Sequence, residues 1–286
     1  MNLLTGAAGK TGQAILHALI ERGEKVRVFV RTVEQGKKLI ELGAQEISIG
    51  DLRDPNALFE ASRNCKSIYY ICPNVTPDEV EIGETLLEAA RKNKVDRFVY
   101  HSVFHSQIST MPHHWQKMRM EEQLFECGMN YIILQPCAYM QNILSNWNSI
   151  LEKSIYSVPY ATYAQISIVD LEDVAAVAAT VLTDAKYTHG IYELAGPQPL
   201  SQIEVAEILQ AVLKIKVIAK TIDRDQWTKN ARAAQLCEDQ IQTLLKMFEY
   251  YEKNGLVGNP IILDHLLGRP ATSFEDFVKR QAAVIQ

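Results

Sequence analysis

The sequence predicts an α/β protein with a Rossmann-type, doubly wound parallel sheet, helices on both faces and a smaller C-terminal lobe. Three observations carry this expectation. Short apolar runs alternate with helix-period stretches through the first half of the chain, and strands apolar on both faces belong to parallel sheets covered by helices. A glycine-spaced segment, Thr5-Gly6-Ala7-Ala8-Gly9-Lys10-Thr11-Gly12, stands where the first such run gives way to the first helix. Six strands recur in this rhythm before the pattern changes near Asn142.

The elements follow in order. Leu3 and Leu4 mark the first strand, and apolar helical spacing follows over residues 11–21. A buried strand at 26–30 precedes a helix at 34–42, and a short strand at 47–49 precedes a helix at 56–62. Strands at 68–71, 97–100 and 130–134 alternate with helices at 79–91 and 116–126. Residues 154–168 are rich in Tyr, Ser and Thr and read as irregular or short-strand structure. The run AAVAATVL makes 173–182 a strongly apolar helix, and 192–194 reads as one more strand. Ser201 caps a helix starting near Ile203, with Glu204 as its capping-box partner. Further helices are expected at 235–251 and 274–283.

Composition bounds the function. At 286 residues the chain can bury a large core. Its 47% hydrophobic and 22% charged content is globular, against disorder, collagen-like repeats and coiled coil. A net charge of -5 disfavours a whole-surface nucleic-acid binder, and Lys214, Lys216 and Lys220 are too sparse for a basic patch. Five cysteines, an odd number with no C-x-x-C pair, imply a reducing compartment and offer no zinc spacing. No basic segment precedes Leu3, so no signal peptide is expected. The uncharged stretch 127–151 carries too many Asn and Gln for a membrane span. The expectation is a soluble, cytoplasmic protein that engages neither nucleic acid nor membrane.

The spacing of Gly6, Gly9 and Gly12 suits a phosphate-binding turn. One glycine allows the tight turn, one lets backbone approach a pyrophosphate, and one lets the helix pack on the sheet. The helix N-terminus then presents N–H groups and the positive end of its dipole. Sites for NAD place a carboxylate at the end of the second strand. Here that position reads Val30-Arg31-Thr32. The Arg31 guanidinium suits a 2′-phosphate, with Lys10 and Lys37 or Lys38 as further positive charges, so the expected cofactor is NADP(H). Arg31 also reads as an ordinary solvated strand-end residue. Asp51, after the third strand, suits either an adenine amino group or the cap of the helix near Asn56.

These residues resemble the NmrA-like branch of the atypical short-chain dehydrogenase/reductases. The resemblance rests on TGAAGKTG (5–12), VRVFVRT (26–32), GDLRD (50–54), HHWQKMRMEEQL (113–124), ILQPCAYMQNIL (133–144) and SIVDLEDVAAVAATVL (167–182). That branch includes NADPH-dependent quinone and dye reductases, isoflavone-reductase-type enzymes and NADPH-sensing regulators. By this resemblance Gly6, Lys10, Thr11 and Gly12 line the pyrophosphate and Arg31 holds the 2′-phosphate. Cys72, Pro73 and Asn74, with Ser102 and Val103, flank the nicotinamide half. Ligands in open α/β sheets do bind at strand carboxyl ends. Lys117 matches the lysine that hydrogen-bonds the nicotinamide ribose. Pro136, Cys137, Ala138 and Tyr139 match the loop beside the nicotinamide.

One departure stands out. Short-chain dehydrogenases carry Tyr-x-x-x-Lys, with the tyrosine as proton donor. The residue four before Lys117 is His113, on the same helical face. This puts alcohol and ketone chemistry in doubt and suits quinone reduction, whose phenolate-like product needs no strong general acid. His113 and His114 remain alternative proton donors. His101, His105, His113 and His114 read as a polar loop, since their spacing fits no usual metal site. Cys137 reads as a redox-sensing thiol or as a buried inert cysteine. Trp115, Tyr139, Trp147, Tyr160 and Tyr163 are candidates for stacking on a flat substrate, or for packing. Met118, Met120 and Met129 read as core filler.

The chain is therefore expected to comprise an NADP(H)-binding Rossmann domain at 1–150, with about 165–195 packing back onto it, and a substrate-side lobe at 151–286. The leading expectation is an NADPH-dependent reductase of small conjugated acceptors such as quinones. Lys117, His113 and Tyr139 form its candidate catalytic set. The alternative is a non-catalytic NADP(H)-binding sensor that acts through a protein partner.

Overall fold

From its first residues the chain alternates strand and helix: β1 (Asn2–Leu4), α1 (Lys10–Glu21), β2 (Val26–Val30), α2 (Val33–Glu41), β3 (Glu46–Ile49) and α3 (Pro55–Ser62). The alternation continues through β4 (Ser67–Tyr70), α4 (Glu79–Lys92), β5 (Arg97–His101), α5 (Pro112–Glu126) and β6 (Asn130–Pro136). Next come β7 (Ala138–Tyr139), a 3₁₀ segment (Met140–Asn146), α6 (Trp147–Lys153), β8 (Ile155–Val158), β9 (Ile166–Val169), α7 (Leu171–Thr183) and β10 (Gly190–Leu194). The last elements are β11 (Pro199–Leu200), α8 (Gln202–Leu213), β12 (Ile218–Thr221), α9 (Arg224–Ala233), α10 (Glu238–Asn254), α11 (Ile261–Leu267) and α12 (Phe274–Ile285). The structure is a computed structural model and describes residues 1–285.

The chain divides into two units. The first comprises Met1–Gln107, His113–Pro136 and Leu171–Glu193. The second comprises Ile108–Pro112, Cys137–Asp170 and the chain from Leu194 onward. The chain leaves the first unit after Pro136, earlier than the boundary at 150 expected from the sequence. The physical reason is that β7 pairs with β9, Ala138 with Ile168 and Tyr139 with Val169, in a separate small sheet.

The large sheet has seven strands in the order β10-β6-β5-β4-β1-β2-β3. Neighbours from β3 to β6 all run parallel. Its central strands are buried on both faces, as Val28, Phe29, Ile68, Tyr69, Phe98 and Val99 show. That is why they read as continuous apolar runs rather than as alternation. The strand order reverses between β1 and β4, so the connections after these two strands depart in opposite directions. α7 packs along α1. Arg22 Nη2 donates to Thr180 Oγ1 at 2.6 Å across that contact.

The second unit holds two small sheets, β11-β9-β7 and β12-β8, around a core that includes Trp147, Ile150, Leu209, Phe274 and Phe277. The expected capping box forms: Ser201 Oγ accepts from Glu204 N at 3.2 Å, and Glu204 Oε2 accepts from Ser201 N at 2.7 Å. Among the described residues no helix is long and apolar enough to cross a membrane.

Candidate active site

The glycine segment turns at the point where the strand order reverses. Thr5 Oγ1 donates to Ile71 O at 3.0 Å and accepts from Ile71 N at 2.8 Å, which ties the ends of β1 and β4 together. Gly6 follows with φ +61°, and a Cβ there would stand 2.8 Å from Ile71 Cβ. Gly12 sits in the first turn of α1, where a Cβ would lie 2.3 Å from Gly6 O. The fold itself therefore excludes side chains at Gly6 and Gly12. Gly9 differs: its φ is -82° and a Cβ there would meet only Gly6 O, at 3.4 Å. The protein does not require glycine at this position. Gly9 is also the N-cap of α1, so no side chain caps the helix. The first amides of a helix lack intrahelical partners and suit an anion. Gln13 Nε2 steadies the loop by donating to Ala8 O at 3.0 Å, and Lys10 and Gly9 are exposed.

Arg31 is exposed just beyond β2, and its backbone N–H donates to Gln35 Oε1 at 3.1 Å. Lys37 and Lys38 are exposed on α2. Asp51 does not cap α3; that role belongs to Asp54, which accepts from Asn56 N at 2.9 Å and Ala57 N at 3.3 Å. Asp54 directly precedes Pro55 at the helix start, the position a cap requires. Asp51 instead accepts from Arg53 N at 2.8 Å and stays exposed.

The carboxyl ends of β4 and β5 carry a buried polar cluster. Tyr70 and Tyr100 are register partners with rings stacked 5.5 Å apart. Tyr100 Oη donates to Glu79 Oε1 at 2.7 Å. Lys117 Nζ donates to the same oxygen at 2.8 Å and to His101 O at 3.1 Å. The ammonium thus stands at the end of β5, where a strand-end ligand would lie. It uses two of its three donors within the protein. Burial, then the Glu79 charge, pushes the Cys72 thiol up to about 12. Cys72 is buried, while Pro73 and Asn74 are exposed in the loop after β4.

Several expected site residues are turned to other partners. Ser102 Oγ donates to Glu121 Oε1 in a tight hydrogen bond, so its hydroxyl faces α5. Gln135 Nε2 donates to both Glu121 oxygens at 2.9 Å and to Ser106 Oγ at 3.1 Å. Burial raises the Glu121 carboxyl against these hydrogen bonds. His113 is half-buried, and burial, then the Lys117 and His114 charges, hold it well below the usual imidazole range. A neutral imidazole is a poor acid at neutral pH, which weighs against the proton-donor reading of His113. His114 is buried with Nδ1 3.2 Å from His105 O, and burial lowers it to about 4. His101 Nδ1 lies 2.8 Å from Tyr69 Oη, and burial lowers His101 to about 3. His105 lies 3.7 Å from Glu193. The rings of His113 and His114 meet edge-on at 6.1 Å. Among the described residues no group of three or more His, Cys, Asp or Glu is placed to hold a metal ion.

Pro136 closes β6, and its carbonyl accepts from Phe104 N at 3.0 Å. Cys137, Ala138 and Tyr139 belong to the second unit. Cys137 is buried, its N–H donates to Leu194 O at 3.1 Å, and burial pushes its thiol up to about 12. A thiol so protonated is a poor nucleophile, which contradicts the redox-sensing reading. Tyr139 is half-buried at the end of β7. Trp147 packs in the core of the second unit, and Tyr160 packs against Phe248 and Tyr251 there. Trp115 and Tyr163 are exposed, and Met120 is fully buried against Gly83.

Sequence reasoning passed over Glu79, Tyr100, Glu121 and Gln135. A signal existed for Tyr100. Tyrosines near the ends of two adjacent buried strands need partners for their hydroxyls.

A sequence model of the NmrA-like family matches residues 3–278. An NAD(P)H azoreductase of Xenophilus azovorans is 28% identical over 288 residues, spanning 99% of this chain and 98% of the relative. Quinone oxidoreductase 2 of Escherichia coli (strain K12) is 23% identical over 280 residues, 97% of each chain. An NADPH-dependent quinone oxidoreductase of Escherichia coli, solved with NADPH, matches with a TM-score of 0.86 at 22% identity, over 99% of this chain and 100% of that one. Triphenylmethane reductase of Citrobacter sp., solved with NADP(H), matches with a TM-score of 0.83 at 22% identity, over 98% and 99%. These likenesses show a common fold, and the match over nearly the whole sequence establishes that the chain belongs to the NmrA-like family.

Proposed function

We propose that the chain is an NADPH-dependent reductase of small, flat, conjugated acceptors such as quinones. The observation that carries this reading is Gly9, a glycine that the protein does not itself need, at the uncapped start of α1. A missing side chain there leaves room for a ligand to approach the backbone. Gly6, Gly9, Lys10, Thr11 and Gly12 would hold the pyrophosphate, Arg31 the 2′-phosphate and Asp51 the adenine. Lys117 would bind the nicotinamide ribose. Cys72, Pro73, Asn74 and Pro136 would flank the nicotinamide through backbone and packing. Ser102 would support that region through Glu121 rather than touch the cofactor. When bound, NADPH supplies a hydride from nicotinamide C4.

Two relatives matching nearly the whole chain are named as an azoreductase and a quinone oxidoreductase, which supports this reaction class. Solved neighbours that carry NADPH or NADP(H) support the cofactor. The protein's own contribution fits the same class. A neutral His113 replaces the usual tyrosine, and acceptors whose reduced form is a stabilised anion need no strong acid in the site. The sensor reading with a protein partner has no observation in its favour. All five cysteines are unpaired, which supports a reducing, cytoplasmic location.

The test is steady-state NADPH oxidation by the purified protein across a quinone panel, with NADH in parallel. Acceptor-dependent turnover that prefers NADPH is expected. Tight NADPH binding with no turnover on any acceptor would overturn the reading.

A further inference from the structure

The pair formed by Lys117 and Glu79 is buried, with side-chain exposures of 6% and 0%. Lys117 sits on α5 and Glu79 opens α4, so the contact joins two helices. Glu79 Oε1 accepts from both Lys117 Nζ and Tyr100 Oη, while Glu79 Oε2 is buried without a hydrogen-bond partner. Lys117 gives a second donor to His101 O, and its Nζ lies 5.1 Å from the centre of the Tyr100 ring.

A buried lysine without a counter-charge readily loses its proton, because burial disfavours the charged form. The titratable groups around this lysine supply little compensation. Tyr70 and Tyr100 on the adjacent strands are pushed well above their usual range, chiefly by burial, and Cys72 is pushed to about 12. They remain neutral. His101 is lowered to about 3 and His114 to about 4, and His113 lies well below its usual range. These are neutral too. Glu121, four residues along α5, has its two oxygens taken by Ser102 and Gln135, and burial raises it while the Lys117 charge lowers it. Among the described residues Glu79 is the ion-pair partner of Lys117.

We propose that Glu79 is a positioning residue: its carboxylate holds Lys117 as an oriented ammonium whose remaining N–H is free for a ribose hydroxyl. The inference rests on the reading in which Lys117 meets the nicotinamide ribose. The carboxylate sets both the charge and the direction of the lysine, because one oxygen fixes Nζ and the His101 carbonyl fixes a second donor.

The test is NADPH binding by fluorescence titration between about pH 6 and about pH 9, beside the wild type at each pH, for Glu79→Gln, Glu79→Asp and Lys117→Met. The ionisation of Lys117 is followed in the same samples by its ¹³Cε resonance, assigned by its loss in Lys117→Met. Glu79→Gln is expected to bind within a few-fold of wild type at the acid end. It should lose about tenfold relative to wild type at the alkaline end, because a buried ammonium without a counter-charge gives up its proton more readily. Glu79→Asp keeps the charge but withdraws it, so it should bind several-fold more weakly at every pH with Lys117 still an ammonium. Lys117→Met should be weak, with no added pH dependence.

A Glu79→Gln protein that follows the wild-type affinity at every pH, with Lys117 charged throughout, overturns the proposal. Should Glu79→Gln not fold, Glu79→Asp decides: wild-type affinity overturns the proposal, and a uniform loss supports it. A wild-type protein that binds no NADPH at any pH contradicts the proposed function itself. Failure confined to the Glu79 variants leaves that function standing.

Discussion

At the residue scale, the three glycines of the turn separate structural need from ligand need. A methyl group at position 12 would meet Gly6 O at 2.3 Å, an overlap that backbone must relieve. Gly12→Ala is therefore expected to cost about 1–3 kcal/mol of stability, measured by chemical unfolding. Gly9→Ala has room, so its stability should change by less than about 1 kcal/mol. Its NADPH affinity should nevertheless fall by about tenfold, equivalent to about 1.4 kcal/mol. Unchanged affinity in a folded Gly9→Ala protein would contradict the phosphate turn. Arg31 makes a second residue-scale prediction. A charge-assisted contact is worth about 1.5–3 kcal/mol, so Arg31→Ala should weaken NADPH binding by about tenfold or more. NADH, which lacks the 2′-phosphate, should be little affected. Equal losses for both nucleotides in calorimetric titrations would contradict the assignment.

At the element scale, α8 depends on its reciprocal cap. Ser201→Ala removes the acceptor for Glu204 N and should cost about 1 kcal/mol, read from the unfolding midpoint. An unchanged midpoint would mean that the cap is immaterial. The same helix shows what a sequence makes legible. Ser201 and Glu204 stand three residues apart before an apolar run, and that pattern has one common structural meaning. The central strands of the large sheet are equally plain, because two-sided burial demands uninterrupted apolar residues. α9 was not foreseen, because its ten residues are mostly polar, with only Trp227, Ala231 and Ala233 apolar. It is held instead by Asp223, which accepts from Asp225 N and Gln226 N, and by Trp227 edge-on to Phe248 at 4.8 Å. The Trp227 contact is a tertiary fact that no local pattern carries, and the local Asp223 cap has no apolar run after it to mark a helix. In the candidate site, the glycine turn was legible for the same reason as the cap. Glu79 was not, since an acidic residue in the first turn of a helix ordinarily serves the helix dipole. Ser102 was assigned to the cofactor from its place at a strand end, and its rotation toward Glu121 depends on a partner nineteen residues away.

At the scale of the whole molecule, the buried histidines tie stability to pH. His101, His113 and His114 are held neutral below their usual value of 6.5, mainly by burial. The unfolded chain binds protons at these positions first as pH falls. Stability is thus complete above about pH 6.5 and declines toward about pH 4. His105 is lowered too, and Glu121, raised by burial, acts in the opposite sense, one carboxyl against four imidazoles. The melting temperature should fall between about pH 7 and about pH 5, and by less in His114→Gln. An equal fall in both proteins would contradict the neutral assignment of His114.

The central claim concerns the molecule as a whole: it passes a hydride from NADPH to a conjugated acceptor. The direct measurement is a single-turnover, stopped-flow experiment with protein in excess over NADPH and a quinone in the second syringe. The NADPH absorbance should decay in a phase that slows when C4 carries deuterium on the transferred face. NADPH that binds yet keeps its absorbance with every acceptor tried would contradict the account.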